Sequence, residues 1–160
     1  MAPRAKAQRA QDAGYDFAGQ VGHLMRRAYQ RHVAIFQEVI PDSRLTGAQF
    51  SVLCALRDLG ASSLSEVCKA TAIDQATVRG IIERLKARGL VRTAADAFDR
   101  RKVIVALEPD GAALLEETIP IAKRITELTV GALNPAERVA LDYLLRKVAN
   151  GSEDGAAAAG

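Results

Sequence analysis

The chain has 160 residues, with 22 Lys and Arg against 19 Asp and Glu and a formal charge of +3. With 49% apolar and 26% charged residues, it is neither a disordered nor a fibrous chain, and its length suits one globular domain with a real core. No apolar run is long enough to span a membrane, and two Cys make no disulfide framework, which fits a reducing cytoplasm.

The first ten residues, MAPRAKAQRA, are basic and lack the apolar stretch of a secretory signal. Residues 1–14 and the Gly/Ala-rich 151–160 read as flexible tails around a single domain at 15–150. Residues 16–39 have a helical spacing of Val21, Leu24, Met25, Ala28, Val33 and Phe36. Pro41 stops that helix. Thr46 with Gln49 makes a capping box for a second helix. Its Phe50, Val52, Leu53, Cys54, Leu56 and Leu59 cover most of its circumference, so it is buried on several sides, and Gly60 ends it. Ser63 with Glu66 opens a short third helix, with Leu64, Val67 and Cys68 inward. A turn at 71–73 follows. Asp74 then caps the clearest amphipathic helix, where Val78, Ile81, Ile82 and Leu85 fall at i, i+3, i+4 and i+7. Gly89 is its C′ glycine.

Beyond Gly89 the pattern turns to strand. Residues 90–93 and 102–107 (KVIVAL) form a two-stranded hairpin around the charged tip AADAFDRR. A long helix runs from 110 to about 132, with a kink expected at Pro120. Asn134, Pro135 and Glu137 start the last helix, whose face is Leu141, Leu144, Leu145 and Val148.

The charge is unevenly spread. Residues 74–103 hold eight basic and four acidic side chains, a local +4, while the two tails cancel and the remaining segments are near neutral. A basic excess on one helix and hairpin is the footprint of a polyanion binder. The order helix, short helix, turn, helix, hairpin is a winged helix-turn-helix at about 46–107. The helix after Asp74 fits a DNA major groove, because its apolar stripe must pack inward and its opposite face is left free. Gln75, Thr77, Arg79, Gly80 and Glu83 occupy that face. Gln addresses adenine and Arg addresses guanine bidentately, and Gly80 permits close approach. Arg84, Lys86 and Arg88 are placed for phosphates, and Arg100 and Arg101 at the hairpin tip for a flanking minor groove. Hydroxyls of Thr46, Ser63 and Ser65 add phosphate donors.

The stretches LTGAQFSVLCAL, SLSEVCKATAIDQATVRGIIERLKARGLV and DAFDRRKVIVALEPDG resemble the multiple-antibiotic-resistance regulator (MarR) family over residues 16–150. The D-x-x-D-R-R tip (Asp96, Asp99, Arg100, Arg101) and the later Gly111 are its most specific part. The resemblance implies a fold that is mainly α with a small two-stranded β-wing. It implies a homodimer whose N- and C-terminal helices, about 16–40 and 109–150, form the interface. It also implies a regulator, commonly a repressor, that binds pseudo-palindromic double-stranded DNA and is released by a small aromatic carboxylate. Asp99 then braces the tip through an arginine, so one of Arg100 and Arg101 braces and the other reaches DNA. The family usually has Thr after the second wing strand. Here Glu108 and Pro109 stand there, which bears on where the next helix starts. Around AGQVGHLMRRAYQRH and DQATVRGIIERL the chain is more loosely similar to the branch that represses nicotinate catabolism, implying 6-hydroxynicotinate as effector.

The first helix is crowded with His23, Arg26, Arg27, Tyr29, Arg31 and His32, after Tyr15 and Phe17. His23 and His32 lie about 900° apart along the helix, on opposite faces, and share no metal within one chain. An aromatic wall with Arg and His suits an anionic ring, so Tyr15, Phe17, His23, Arg26 and Tyr29 are the effector-binding candidates. Surface arginines beside packed aromatics are the alternative. No zinc spacing, cofactor fingerprint, P-loop, G-x-S-x-G or H-E-x-x-H occurs, so no cofactor, metal site or enzyme activity is expected. Two other readings stay open: a redox-sensing repressor using Cys54 or Cys68, and a winged helix that docks protein.

Overall fold

Four helix starts are written into their own first residues. The Thr46 hydroxyl accepts the Gln49 N–H (3.2 Å) while Gln49 Oε1 accepts the Thr46 N–H (2.9 Å), opening α2 (Gly47–Leu59) once α1 (Val21–Val39) has ended. Ser63 and Glu66 repeat the arrangement at α3 (Leu64–Thr71), and Asn134 and Glu137 do so at α6 (Pro135–Asn150). Asp74 accepts both the N–H and the hydroxyl of Thr77 at α4 (Gln75–Ala87). Each such cap is worth about 1 kcal/mol. The remaining elements are β1 (Ser62–Ser63), β2 (Val91–Ala95), β3 (Val103–Leu107) and α5 (Pro109–Thr129). The computed structural model describes residues 15–99 and 101–151. Arg100 and the expected tails, apart from Gly151, lie outside the described residues.

The winged helix-turn-helix is present as expected, with three differences of detail. The sheet has three strands, not two: β1 pairs with β3 (Ser62 opposite Val105, Ser63 opposite Ile104), and β3 pairs with β2 from Val91 opposite Leu107 to Ala95 opposite Val103. Two residues give no readable alternation, so only the partner strand reveals β1. The first helix starts at Val21, five residues later than its pattern predicts. Asp16 Oδ1 accepts the Ala18 N–H, an Asx turn that competes with helix. The long helix starts at Pro109, with no side-chain cap from Glu108. That carboxylate pairs instead with Arg92 (3.0 Å) on β2. The helix continues through Pro120, which is exposed to water.

The core lies under the winged module. Val78, Ile81, Ile82 and Leu85 of α4 meet Val52, Leu53 and Leu56 of α2, Val67 of α3 and Val105 of β3, all essentially inaccessible. Leu115 and Ile125 bring α5 onto the same cluster, and Phe36 and Ile40 bring the end of α1. By contrast α6 buries no residue at all. Val139, Tyr143, Leu144, Leu145 and Val148 stand in the open, as do Val21, Leu24 and Met25 on the first half of α1.

Two contacts fix the end of α4. Gly89 turns the chain at φ +70°, and Leu90 N–H then reaches back to the Leu85 carbonyl (3.0 Å). The Leu90 carbonyl accepts the Glu108 N–H (3.0 Å) and lies so near Gly111 that a Cβ there would sit 2.2 Å from its oxygen. On the other side, Arg88 donates to Asp42 and to the Arg44 carbonyl in the loop between α1 and α2. Desolvation pushes the Asp42 carboxyl upward. The Arg44 backbone N–H and the Arg88 guanidinium outweigh it and hold the group below the ordinary aspartate range.

Gly111→Ala is therefore expected to destabilise the chain by about 1–3 kcal/mol or more, because backbone must move to admit one methyl, a loss read from denaturant midpoints. Asp42→Asn should cost about 1–3 kcal/mol at neutral pH. A lowered folded value means the stabilisation is present above the ordinary aspartate pKa and lost as pH falls through the folded one. The gap between parent and Asp42→Asn should accordingly close in acid; a gap independent of pH contradicts the pairing.

Candidate nucleic-acid interface

Burying one stripe of α4 decides what its other face presents. At about 100° per residue, Ala76 and Gly80 lie nearly opposite the stripe of Val78, Ile81, Ile82 and Leu85. Gln75, Arg79 and Lys86 line one border of that outer face, and Thr77 and Arg84 the other. Gln75, Thr77, Arg79, Arg84 and Lys86 are all exposed. A Cβ at Gly80 would meet only the far end of Arg84, at 3.6 Å, so nothing inside the protein demands glycine there. The Thr77 hydroxyl donates to Asp74 (2.6 Å). Its proton is spent on the cap, leaving its methyl and oxygen lone pairs for an outside partner.

The wing stands beside this face. Between α3, α4 and β3 lies an open groove of about 670 Å³, walled by Ser63, Ser65, Gln75, Arg79, Arg101 and Lys102. The structure thus joins two residues of α4, two serines at the start of α3 and one tip residue, predicted separately, into one surface. It adds Lys102, which the sequence shows only as one more cation in a basic window. Glu66 is also on this wall. Its hydrogen bonds from the Ser63 hydroxyl and N–H, with some help from the Lys102 charge, keep it below the usual carboxylate range, and it serves the cap.

The cations divide by what holds them. Arg88, placed by sequence among the phosphate ligands, is held by Asp42 and largely covered, so it is withdrawn from that set. Arg92 is paired with Glu108. Arg101 touches Asp99 through Nε at 3.4 Å, yet its side chain is 93% exposed, so the guanidinium remains accessible. Arg100 lies outside the described residues.

The tip itself is shaped by carboxylates. Asp96 Oδ1 accepts the N–H groups of Phe98 (2.9 Å) and Asp99 (2.8 Å). Those bonds, with the Lys102 charge, hold the Asp96 carboxyl below its usual range. Asp99 Oδ1 accepts the Arg101 N–H (3.1 Å), and the Lys102 N–H closes the turn on the Asp99 carbonyl (2.8 Å). Phe98, which no periodicity singles out, projects from this turn fully exposed.

A second hollow, about 190 Å³, lies between α1, α2 and α5. Tyr29, His32, Phe36, Phe50, Ser51 and Thr126 line it, and the Phe36 and Phe50 rings on its wall lie 5.9 Å apart. Of the effector candidates only Tyr29 lines this hollow. The Phe17 and His23 rings meet at a tilt of 46° (4.5 Å between centroids), and Tyr15 and Arg26 are exposed on the same outer part of the chain. His32, which helical spacing places on the wrong face to share a metal with His23, lines it instead. Its Nδ1 bonds the Thr129 hydroxyl (2.9 Å), whose own proton goes to the Ile125 carbonyl (2.8 Å). His32 Nδ1 is therefore the donor, and in the neutral ring Nε2 is left as acceptor.

Burial pushes the Cys54 thiol up, with Arg57 opposing and Asp58 adding to it, which removes thiolate character at neutral pH. Among the described residues no three His, Cys, Asp or Glu side chains group as a metal site, and no helix is long and apolar enough to cross a membrane.

Comparison with known proteins agrees with this geometry. A family model described as MarR family matches residues 45–102, from the start of α2 to the wing tip. The HTH-type transcriptional repressor NicR of Pseudomonas putida is 60% identical over 140 residues, covering 88% of this chain and 89% of that protein. Among solved structures, Bordetella bronchiseptica BpsR, whose DNA binding is regulated by 6-hydroxynicotinic acid, superposes with a TM-score of 0.81 at 67% identity, over 86% of this chain and 98% of BpsR. A mutant of Escherichia coli MarR complexed with operator DNA superposes with a TM-score of 0.75 at 27% identity, over 84% of this chain and 99% of that one. The shared winged-helix fold and the extent of these matches place the chain in the MarR family of transcriptional regulators.

Proposed function

We propose that this chain is a cytoplasmic transcriptional repressor that binds a pseudo-palindromic operator as a homodimer and leaves it on binding 6-hydroxynicotinate. The observation that carries the DNA reading is the single surface formed by the outer face of α4 and the wing, where Arg79, Arg101 and Lys102 of the basic window line one groove with Gln75. Gln75, Arg79, Thr77 and Gly80 enter the major groove. Arg84, Lys86 and Lys102 hold phosphates, and the wing tip with Arg100 and Arg101 lies over the adjoining minor groove.

The dimer reading rests on the uncovered apolar residues of α1 and α6. A two-fold, isologous contact between these ends buries them and sets two α4 helices for half-sites one DNA turn, about 34 Å, apart. The effector reading rests on similarity to BpsR and NicR and on the hollow beside Tyr29. Its volume suits a single-ring acid, with Phe36 and Phe50 as walls and His32 Nε2 as an acceptor. Arg26 lies one helical turn before Tyr29 and supplies the cation for the carboxylate. The hollow adjoins α5, which carries Gly111, so its filling bears on how the winged module sits on the dimer helices. A coupling of about 1–3 kcal/mol gives roughly 5–150-fold release.

Selection of bound duplexes from a random pool, followed by titration at several salt concentrations, tests the reading. A two-fold symmetric site and affinity that falls steeply with salt are expected, with weakening on addition of 6-hydroxynicotinate. No duplex recovered at low salt would sink the DNA reading, and an unmoved titration the effector reading. Arg79→Ala should relax preference at one base position, and Arg84→Ala should weaken all sequences alike. Gly80→Ala should separate folding from function, stabilising the free protein by about 0.5–1 kcal/mol while lowering operator affinity, measured by melting and by titration on the same preparation.

A further inference from the structure

Phe98 stands on the tip of the wing with its side chain fully accessible. A bare aromatic ring in water is unfavourable, and a loop tip is ordinarily polar. No buried neighbour explains it, since the tip is held by Asp96, Asp99 and Lys102 through backbone bonds that leave the ring out. Those same bonds fix the backbone that carries the ring, so docking it costs little backbone ordering. The seven residues 96–102 carry two acidic and three basic side chains, a net charge too small for the tip to hold a polyanion by charge alone. Arg101 and Lys102, three and four residues further along the same tip, wall the groove shared with Gln75 and Arg79 of α4. A duplex that seats α4 and these cations therefore has the tip that carries Phe98 beside it.

Resting on the DNA reading above, we propose that Phe98 is a DNA-contacting residue. Its ring packs into the minor groove beside the major-groove site, against deoxyribose edges and the step between base pairs. Apolar side chains act in minor grooves in this way, as wedges that read width and ease of unstacking and not hydrogen-bond pattern. Phe98 supplies the salt-independent part of wing binding, and Arg101 the salt-dependent part.

The chain contains no Trp, so Phe98→Trp places a single indole fluorophore at the tip. With the duplex recovered by the unsubstituted protein, its emission should shift to shorter wavelength and become shielded from acrylamide on binding. Phe98→Ala should keep the parent's melting temperature, lose roughly tenfold in operator affinity, and keep the parent's slope of log affinity against log salt. Arg101→Ala should make that slope shallower by about one. Unchanged affinity in Phe98→Ala, or a bound Phe98→Trp as open to acrylamide as the free protein, overturns the proposal while leaving the DNA reading intact. A shift that appears on concentrating the protein without DNA puts the ring in a protein contact and also overturns it. Failure of the unsubstituted chain to bind any duplex overturns both.

Discussion

Leu90 sits where three elements end, and its backbone is committed to all of them. Its N–H closes α4, its carbonyl receives the first N–H of the chain leaving β3, and that carbonyl fills the space where Gly111 has no side chain. The winged module and α5 are held together at this point by backbone against backbone, which has no rotamer with which to adapt. Whatever angle α5 takes, β2, β3 and the last turn of α4 must take with it. This is why a residue with no chemistry of its own belongs to the most specific part of the sequence pattern.

The charge distribution follows the same division between holding and reading. Arg88 and Arg92 sit inside the basic window of the sequence, yet both are occupied, by Asp42 and by Glu108. They tie α4 and β2 to the α1–α2 loop and to the start of α5. Arg79, Arg84, Lys86 and Lys102 make no ion pair among the described residues, and Arg101 has only a long one. Formal charge therefore overstates the unpaired cations in this window, and their placement on one side matters more than their sum.

What is legible in the sequence is what is decided locally. The capping boxes at Thr46, Ser63 and Asn134 involve residues three apart, the stripe from Val78 to Leu85 is a single helical period, and Gly89 must turn left-handed where its helix stops. The outer face of α4 can be read off because it is the complement of that stripe. Contacts between distant segments are not legible. Asp42 and Arg88 are 46 residues apart, β1 is too short to show a pattern, and the hollow beside Tyr29 exists only once α1, α2 and α5 are packed. His32 is visible in the sequence, but only Thr129, 97 residues on, shows what it does. Phe98 is visible too, as an aromatic between two aspartates, but its meaning depends on the tip pointing away from the core.

The two ends of α4 are held very differently. Its C-terminal end is gripped from both sides, by Asp42 on Arg88 and by the Leu90 and Gly111 contact, whereas its N-terminal cap is made by its own Asp74 and Thr77. The helix, with the module packed along its apolar stripe, is a lever that turns about that gripped end. Its 13 residues span about 20 Å. A turn of about 10° at that end then moves Gln75 by roughly 3 Å, close to the roughly 3.4 Å rise of one base pair. Because Val78, Ile81, Ile82 and Leu85 seat the helix along its length in the core, such a turn carries the winged module with it, and a modest rotation of the module shifts the reading end of the helix by a full letter of DNA.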